Sequence, residues 1–340
     1  MLETTWFVLW GVLWAVYFML DGFDLGLGVL QRFLPKDETE RRIIYSIMGP
    51  VWDGNEVWLI TAGGVTFAAF PKTYAVMFSS LYSALLLLLF ALIIRAVALE
   101  FRGQVDSPGW RKLWDTAALI GSFLPALLLG VAFANIFQGI PINEQGVNQG
   151  SLLTLLNPYG LAGGVLFVML FLLHGALWLA VRTTNDLQAR AARLAGQLWS
   201  VLLVVAVLFL ALSRAFTNLW TNYLNHPVLL VIPFGAVCCL LWIRISLLRK
   251  TWLAAWVSSA GVIVLCTLFG VVGLYPNLLP SSLNPDWSMT IYNSASSPLT
   301  LKIMLGVALV FVPIVIIYQF MVYRFFIYKV TRENVAEEVY

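Results

Sequence analysis

The stretch Trp52-Asp53-Gly54-Asn55-Glu56-Val57-Trp58 sets two carboxylates and an amide inside a long apolar run. Ionisable side chains in hydrocarbon cost several kcal/mol unless they are paired, wetted or neutralised, so their presence points to a proton or ion path. Asp21 and Asp24 repeat the i, i+3 spacing of Asp53 and Glu56 in an earlier apolar run, and that spacing puts both members on one helix face. A third run holds Arg95, with Glu100 and Arg102 nearer its end. Three acids (Asp24, Asp53, Glu56) against one guanidinium leave carboxylate in excess, which suits groups that take up and release protons. The alternative is a buried salt-bridge network that only fixes packing. Such networks contribute little to stability, because desolvation offsets much of the attraction.

These residues need elements that hold them at one depth. The chain has 340 residues, 61% apolar and only 11% charged. A soluble domain carries roughly twice that charged fraction. Nine apolar stretches of spanning length occur, at about 5–31, 44–70, 74–100, 114–138, 158–181, 192–215, 228–248, 252–275 and 300–327. Runs this long exclude barrel strands. The expected fold is therefore an all-α polytopic membrane protein, a single transmembrane domain over residues 1–340. Glu3 precedes the first run and no basic residue does, so that run reads as a retained helix and not a secretory signal. No soluble domain, low-complexity tract or nucleotide fingerprint interrupts the pattern.

Orientation follows from the basic residues. Sixteen of the 20 Lys and Arg residues fall on one side of the nine-span arrangement: those from Arg32 to Arg42, Arg102 to Lys112, Arg182 to Arg193, Arg244 to Lys250 and Arg324 to Arg332. That side is cytoplasmic, with the N-terminus outside and the C-terminus inside. Helical rise puts Asp24 about 12 Å from this boundary, Asp53 about 16 Å and Arg95 about 10 Å. Consecutive helices are usually neighbours, so Asp24, Asp53, Glu56 and Arg95 are expected in one cluster reached from the cytoplasm. The outer loops, Gln138 to Pro158 and Tyr275 to Pro298, carry the Pro and Asn content of ordered turns.

Other residues say less. Gly22 with Gly26, and Gly160 with Gly164, are small-xxx-small pairs that let helices approach closely. Gly49-Pro50 and Gly63-Gly64 predict irregular backbone. His174, mid-span, either ligates haem or, the favoured reading, hydrogen-bonds a neighbouring helix. Cys238, Cys239 and Cys266 lie in apolar segments without metal-ligand spacing, and no metal site is expected. Trp6, Trp10, Trp110, Trp114, Trp220, Trp252 and Trp287 fall near helix ends and read as an interfacial belt. The net charge of +3 is small, and no nucleic-acid partner is expected.

The sequence resembles subunit II of the cytochrome bd quinol oxidases. The resemblance rests on Asp21-Gly22-Phe23-Asp24-Leu25-Gly26, on Thr39-Glu40-Arg41-Arg42-Ile43, and on Trp52 through Gly64 followed by Phe67-Ala68-Ala69-Phe70-Pro71. Gly121-Ser122-Phe123, Tyr275-Pro276, Pro280-Ser281-Ser282 and Ser296-Ser297 extend it over nearly the whole chain. The resemblance implies nine helices, arranged as two four-helix bundles plus one peripheral helix. It implies a heterodimer in the bacterial cytoplasmic (inner) membrane, in which subunit I binds two b-type haems and one d-type haem and oxidises quinol. Dioxygen is reduced to water with protons drawn from the cytoplasm. Small single-helix accessory subunits and a structural quinone on subunit II occur in some members. The aspartate matching Asp53, beside Trp52, leads protons toward subunit I, and the positions matching Asp24 and Arg95 are linked to that region.

No catalytic residue is then expected in this chain. Asp53 with Trp52 is the expected proton carrier, Glu56 and Asp24 the supporting acids and Arg95 their counter-charge. Asp21, Asn55, Glu100 and His174 are secondary candidates. Two rivals remain: a proton-coupled secondary transporter, which would show an inverted repeat, and a purely structural scaffold in contact with lipid.

Overall fold

The structure, a computed structural model, describes residues 1–337. Its helices in chain order are α1 (Leu2–Leu30), α2 (Glu38–Met48), α3 (Trp52–Ala69), α4 (Pro71–Ser80), α5 (Tyr82–Phe101), α6 (Pro108–Gln138) and α7 (Pro158–Arg182). They continue with α8 (Asn185–Phe216), α9 (Trp220–Asn225), α10 (Val231–Leu248), α11 (Trp252–Leu274), α12 (Pro298–Phe326) and α13 (Arg332–Glu337). Among the described residues, eight helices are long and apolar enough to cross a membrane: α1, α5, α6, α7, α8, α10 with its leading turn, α11 and α12.

The expected 44–70 span is instead two helices. Pro50 has no N–H to continue the helical ladder, so α2 stops at Met48, with Gly49 still helical in φ and ψ (−46°, −45°), and α3 starts at Trp52. With 18 residues, α3 is about 27 Å long, but Asp53, Asn55 and Glu56 dilute its apolar content. The expected 74–100 span starts earlier, at Pro71, and breaks at Leu81, whose φ of −101° and ψ of 10° lie in the bridge region. The irregularity expected at Gly63-Gly64 is absent, and α3 runs through both. Glycine permits a break without requiring one.

Helices α1 and α7 occupy the middle. α1 packs on α3, α6, α7 and α11, and α7 packs on α6, α8 and α11. The α1–α7 crossing is backbone against backbone. A Cβ added at Gly26 would overlap the Phe171 carbonyl oxygen, and one added at Gly175 would lie 2.9 Å from the Leu27 nitrogen. Only glycine allows this approach. α12 lies against α1 and α3 at the periphery, and Leu301 is its one buried residue. Trp6 and Trp10 belong to the core and not to an interfacial belt. Their indole N–H groups donate to the Leu301 carbonyl at 3.1 Å and to Thr66 Oγ1 at 2.9 Å.

Each end of the bundle is tied by its own chemistry. At one end Arg102 donates to Asp115 at 2.6 Å and to Glu38 at 2.8 Å, and Arg41 pairs with Asp115 at 3.3 Å. Glu40 accepts from both Arg190 and Arg332. The Val330 N–H donates to the Arg182 carbonyl at 2.8 Å, so loops far apart in sequence meet there. At the other end β1 (Asn277–Leu279) pairs antiparallel with β2 (Met289–Thr290), and Ile140 bridges to Ser281. The two long loops at that end thus hold each other.

Candidate functional site

Helices α1, α3 and α5 bring the intramembrane ionisable residues into one region. Arg95 on α5 is 2% exposed and Asp21 on α1 fully buried. Arg95 Nη2 donates to Asp21 Oδ1 at 2.6 Å and lies 3.6 Å from Glu56 Oε2 of α3. The direct partner of Arg95 is therefore Asp21, ranked second in the sequence reading, and not Asp24. A step of three residues turns a helix by about 60° from a whole revolution, enough for Asp24 to look toward α3. There Asn55 Nδ2 donates to Asp24 Oδ2 at 2.7 Å. Asn55 Oδ1 in turn accepts from Tyr323 Oη at 2.8 Å and from Gln319 Nε2 at 3.0 Å. Trp58 Nε1 donates to Gln319 Oε1 at 2.7 Å.

The expected single cluster is thus split by the faces of α3. Asn55 points inward to Asp24, and Glu56, half-buried, reaches Arg95. Asp53 is on the exposed face and forms no ion pair among the described residues. Helical spacing makes Asp53 and Glu56 neighbours all the same. Val57, Ile60 and Phe67 continue the exposed stripe that Asp53 begins, and Trp52 beside it is half-buried. The site therefore runs from an outward carboxylate on an apolar helix face to a sealed ion pair within.

Two secondary candidates stand apart. Glu100 is exposed near the end of α5, where its carbonyl accepts from Gln104. His174 is fully buried, with Nε2 3.1 Å from the Met19 carbonyl and Nδ1 2.6 Å from Ser259 Oγ. A carbonyl can only accept, so Nε2 carries the hydrogen, while the single Ser259 hydroxyl hydrogen is within reach of both Nδ1 and the Trp256 carbonyl. The ring also stacks on Trp256, at 5.2 Å and 6°. With both nitrogens engaged, His174 ties α7 to α1 and α11, and it does not fit an axial haem ligand. Among the described residues no group of three or more His, Cys, Asp or Glu could hold a metal ion.

Sequence reasoning missed Gln319 and Tyr323. Their signal was available, since they are polar residues four apart in an otherwise apolar helix and so share a face. Tyr17 was also missed. Its buried hydroxyl has no hydrogen-bond partner, and neither do Asp21 Oδ2, Asp24 Oδ1 and Arg95 Nη1 in the same region.

A family model for "Cytochrome bd terminal oxidase subunit II" matches residues 2–326. The chain belongs to the cytochrome bd oxidase subunit II family. Relatives agree over nine tenths or more of their length. The cytochrome bd-I ubiquinol oxidase subunit 2 of Escherichia coli K12 is 36% identical over 381 aligned positions, covering 100% of this chain and 98% of the relative. The cytochrome bd ubiquinol oxidase subunit 2 of Bacillus subtilis 168 is also 36% identical, with 93% of each chain covered. The solved bd oxidase of Geobacillus thermodenitrificans superposes with a TM-score of 0.78 at 20% identity, over 96% of this chain and 98% of that one. That likeness is one of fold. As a subunit II, the chain is a multi-pass membrane component of a respiratory oxidoreductase, with a subunit I as partner and haem in the assembled complex.

Proposed function

We propose that this subunit II supplies cytoplasmic protons to the haem-bearing subunit I of a bacterial inner-membrane quinol oxidase. Subunit I carries the two b-type haems and the d-type haem, oxidises quinol and reduces dioxygen to water. The haems supply the redox chemistry, and this chain's residues hold and hand on protons. One observation carries the reading: Asp53 stands exposed on an apolar stripe of α3, one helical step from Glu56, which borders the buried Arg95–Asp21 pair. A carboxylate uncovered on such a face suits a group that meets a partner chain.

The interior supports the same reading. Asp21 and Glu56 share the Arg95 guanidinium while Asp24 meets only the Asn55 amide, and a buried carboxyl without counter-charge is cheapest when it holds a proton. Buried polar atoms need partners, and the unpartnered oxygens of Tyr17, Asp21 and Asp24 suit bridging waters. α3 is the ninth crossing in this reading. The basic end is cytoplasmic by the positive-inside rule, with the N-terminus outside. One bundle is α1, α3, α5 and α6, the other is α7, α8, α10 and α11, and α12 is peripheral. An apolar cavity of about 740 Å³ among α1, α3, α4, α5 and α6, lined by Trp10, Trp14, Phe67 and Tyr74, suits a structural quinone or a lipid chain.

Asp53→Asn tests the reading. The complex is expected to keep its haem content while quinol-driven oxygen consumption falls by about a hundredfold, the scale of one lost proton-transfer group. Wild-type turnover at unchanged haem content would remove Asp53 from the route.

A further inference from the structure

α12 has Leu301 as its one buried residue. Even so, two of its side chains reach the centre of the site. Gln319 and Tyr323 both donate to Asn55 Oδ1, at 3.0 and 2.8 Å, and Asn55 donates to Asp24 at 2.7 Å.

The hydrogen bonds in this network have a single consistent direction. An indole N–H can only donate, so Gln319 Oε1 takes the hydrogen of Trp58 and Gln319 Nε2 faces Asn55 as a donor. The Asn55 oxygen then has both lone pairs filled, by Gln319 and Tyr323. Its NH2 is left for the Asp24 carboxylate. A flipped Asn55 amide would set its NH2 against the Gln319 NH2, which cannot accept, so Gln319 fixes the orientation, while the Tyr323 hydroxyl fills the second lone pair of the Asn55 oxygen. The donor that Asp24 sees is therefore fixed from α12, through an amide that is itself 0% exposed. Local chemistry on α3 does not suffice, since Asn55 alone can present either its NH2 or its oxygen to Asp24.

We propose that Gln319 and Tyr323 are positioning residues for proton transfer at Asp24, acting by locking the Asn55 amide as a donor. The proposal rests on the reading of Asp24 as a proton-bearing group. The peripheral helix then has a role in the chemistry as well as in the boundary with lipid.

The test uses the assembled two-subunit oxidase with Asp24→Asn, Tyr323→Phe and Gln319→Met. Asp24→Asn assigns the Asp24 carboxyl band in redox-induced infrared difference spectra by its loss. In Tyr323→Phe and Gln319→Met that band is expected to shift. Oxygen consumption should fall about three- to tenfold, the rate equivalent of one lost hydrogen bond, with KM for quinol and haem content unchanged. If both variants keep the wild-type band and rate while Asp24→Asn is slow, the proposal fails and the proton-supply reading stands. If Asp24→Asn turns over at the full rate, Asp24 drops out of the supply reading and the proposal fails with it. Should Tyr323→Phe not assemble, Gln319→Met reads the same shift through the other donor to Asn55. Failure of both to assemble would make the pair a simple anchor for α12 and overturn the proposal.

Discussion

Arg95 gives up its hydration to sit between three helices, and Asp21 at 2.6 Å and Glu56 at 3.6 Å are what it receives in return. Removing one partner of a buried pair is far worse than removing both, because the survivor is left charged and alone. Arg95→Met should therefore destabilise the subunit by about 3–5 kcal/mol, and the double variant Asp21→Asn/Arg95→Gln should recover part of that loss. Thermal unfolding of the purified complex in detergent measures both. Arg95→Lys should not restore the site, because a single ammonium cannot span two acids as the guanidinium fork does. The acids and the arginine were legible in the sequence because their cost in a membrane is large. The choice between Asp21 and Asp24 was not, because both lie on the same face of α1 and only the tertiary placement of α5 separates them. Gln319 and Tyr323 were visible as a polar pair, but their pairing was not, because their partner Asn55 lies more than two hundred and sixty residues away in sequence.

The short helices repay attention at the level of elements. α2 and α13 are clasped by Asp37, Glu40, Arg190 and Arg332, outside the apolar spans. The Glu40 backbone N–H and then the Arg332 guanidinium hold the Asp37 carboxyl below the usual carboxylate range. Burial pulls Glu40 upward, but hydrogen bonds from Arg190 and from the Lys36 backbone N–H outweigh it, and the net direction is again down. Groups whose folded pKa is lowered stabilise the fold above their unfolded values, and that contribution is lost as pH falls through the folded ones. The clasp should accordingly hold at neutral pH and loosen below about pH 4. Protection of the Val330 amide, which donates to Arg182, relative to its intrinsic exchange rate at each pH, should fall over that interval. Arg332→Ala should produce the same loss of protection at neutral pH. Sequence reading placed irregular backbone at Gly49-Pro50, and there the expected single span divides into α2 and α3, whereas the break at Leu81 had no Gly or Pro to announce it and depends on how α4 packs on the paired strands.

For the whole molecule, the α1–α7 crossing sets the tolerance. Gly26→Val would drive a branched side chain into the Phe171 backbone. Overpacking of this kind costs about 1–3 kcal/mol where neighbours can yield, and here the neighbour is a carbonyl that cannot. The expected outcome is loss of assembled complex from the membrane, checked by haem recovered per cell. Gly54, which has no atom within 4 Å of an added Cβ, should accept Ala without loss of the subunit's own fold. The all-helical, membrane-spanning character of the apolar runs was readable in the sequence, but their division was not, since the 44–70 and 74–100 runs each break in two. Their grouping around α1 and α7 was not, since small residues say that helices can touch without saying which ones do.

Backbone touching backbone at Gly26 and Gly175 also limits how the subunit can work. Alternating-access transporters tilt one bundle over another around a central site, and such tilting needs side chains that slide. Here the two halves are keyed together, peptide to peptide, beside the acidic residues themselves. A hydrogen ion crossing this protein would therefore travel by turns of carboxyl and hydroxyl groups past fixed amides within a static frame, and stiffening the frame further should leave its passage unimpeded.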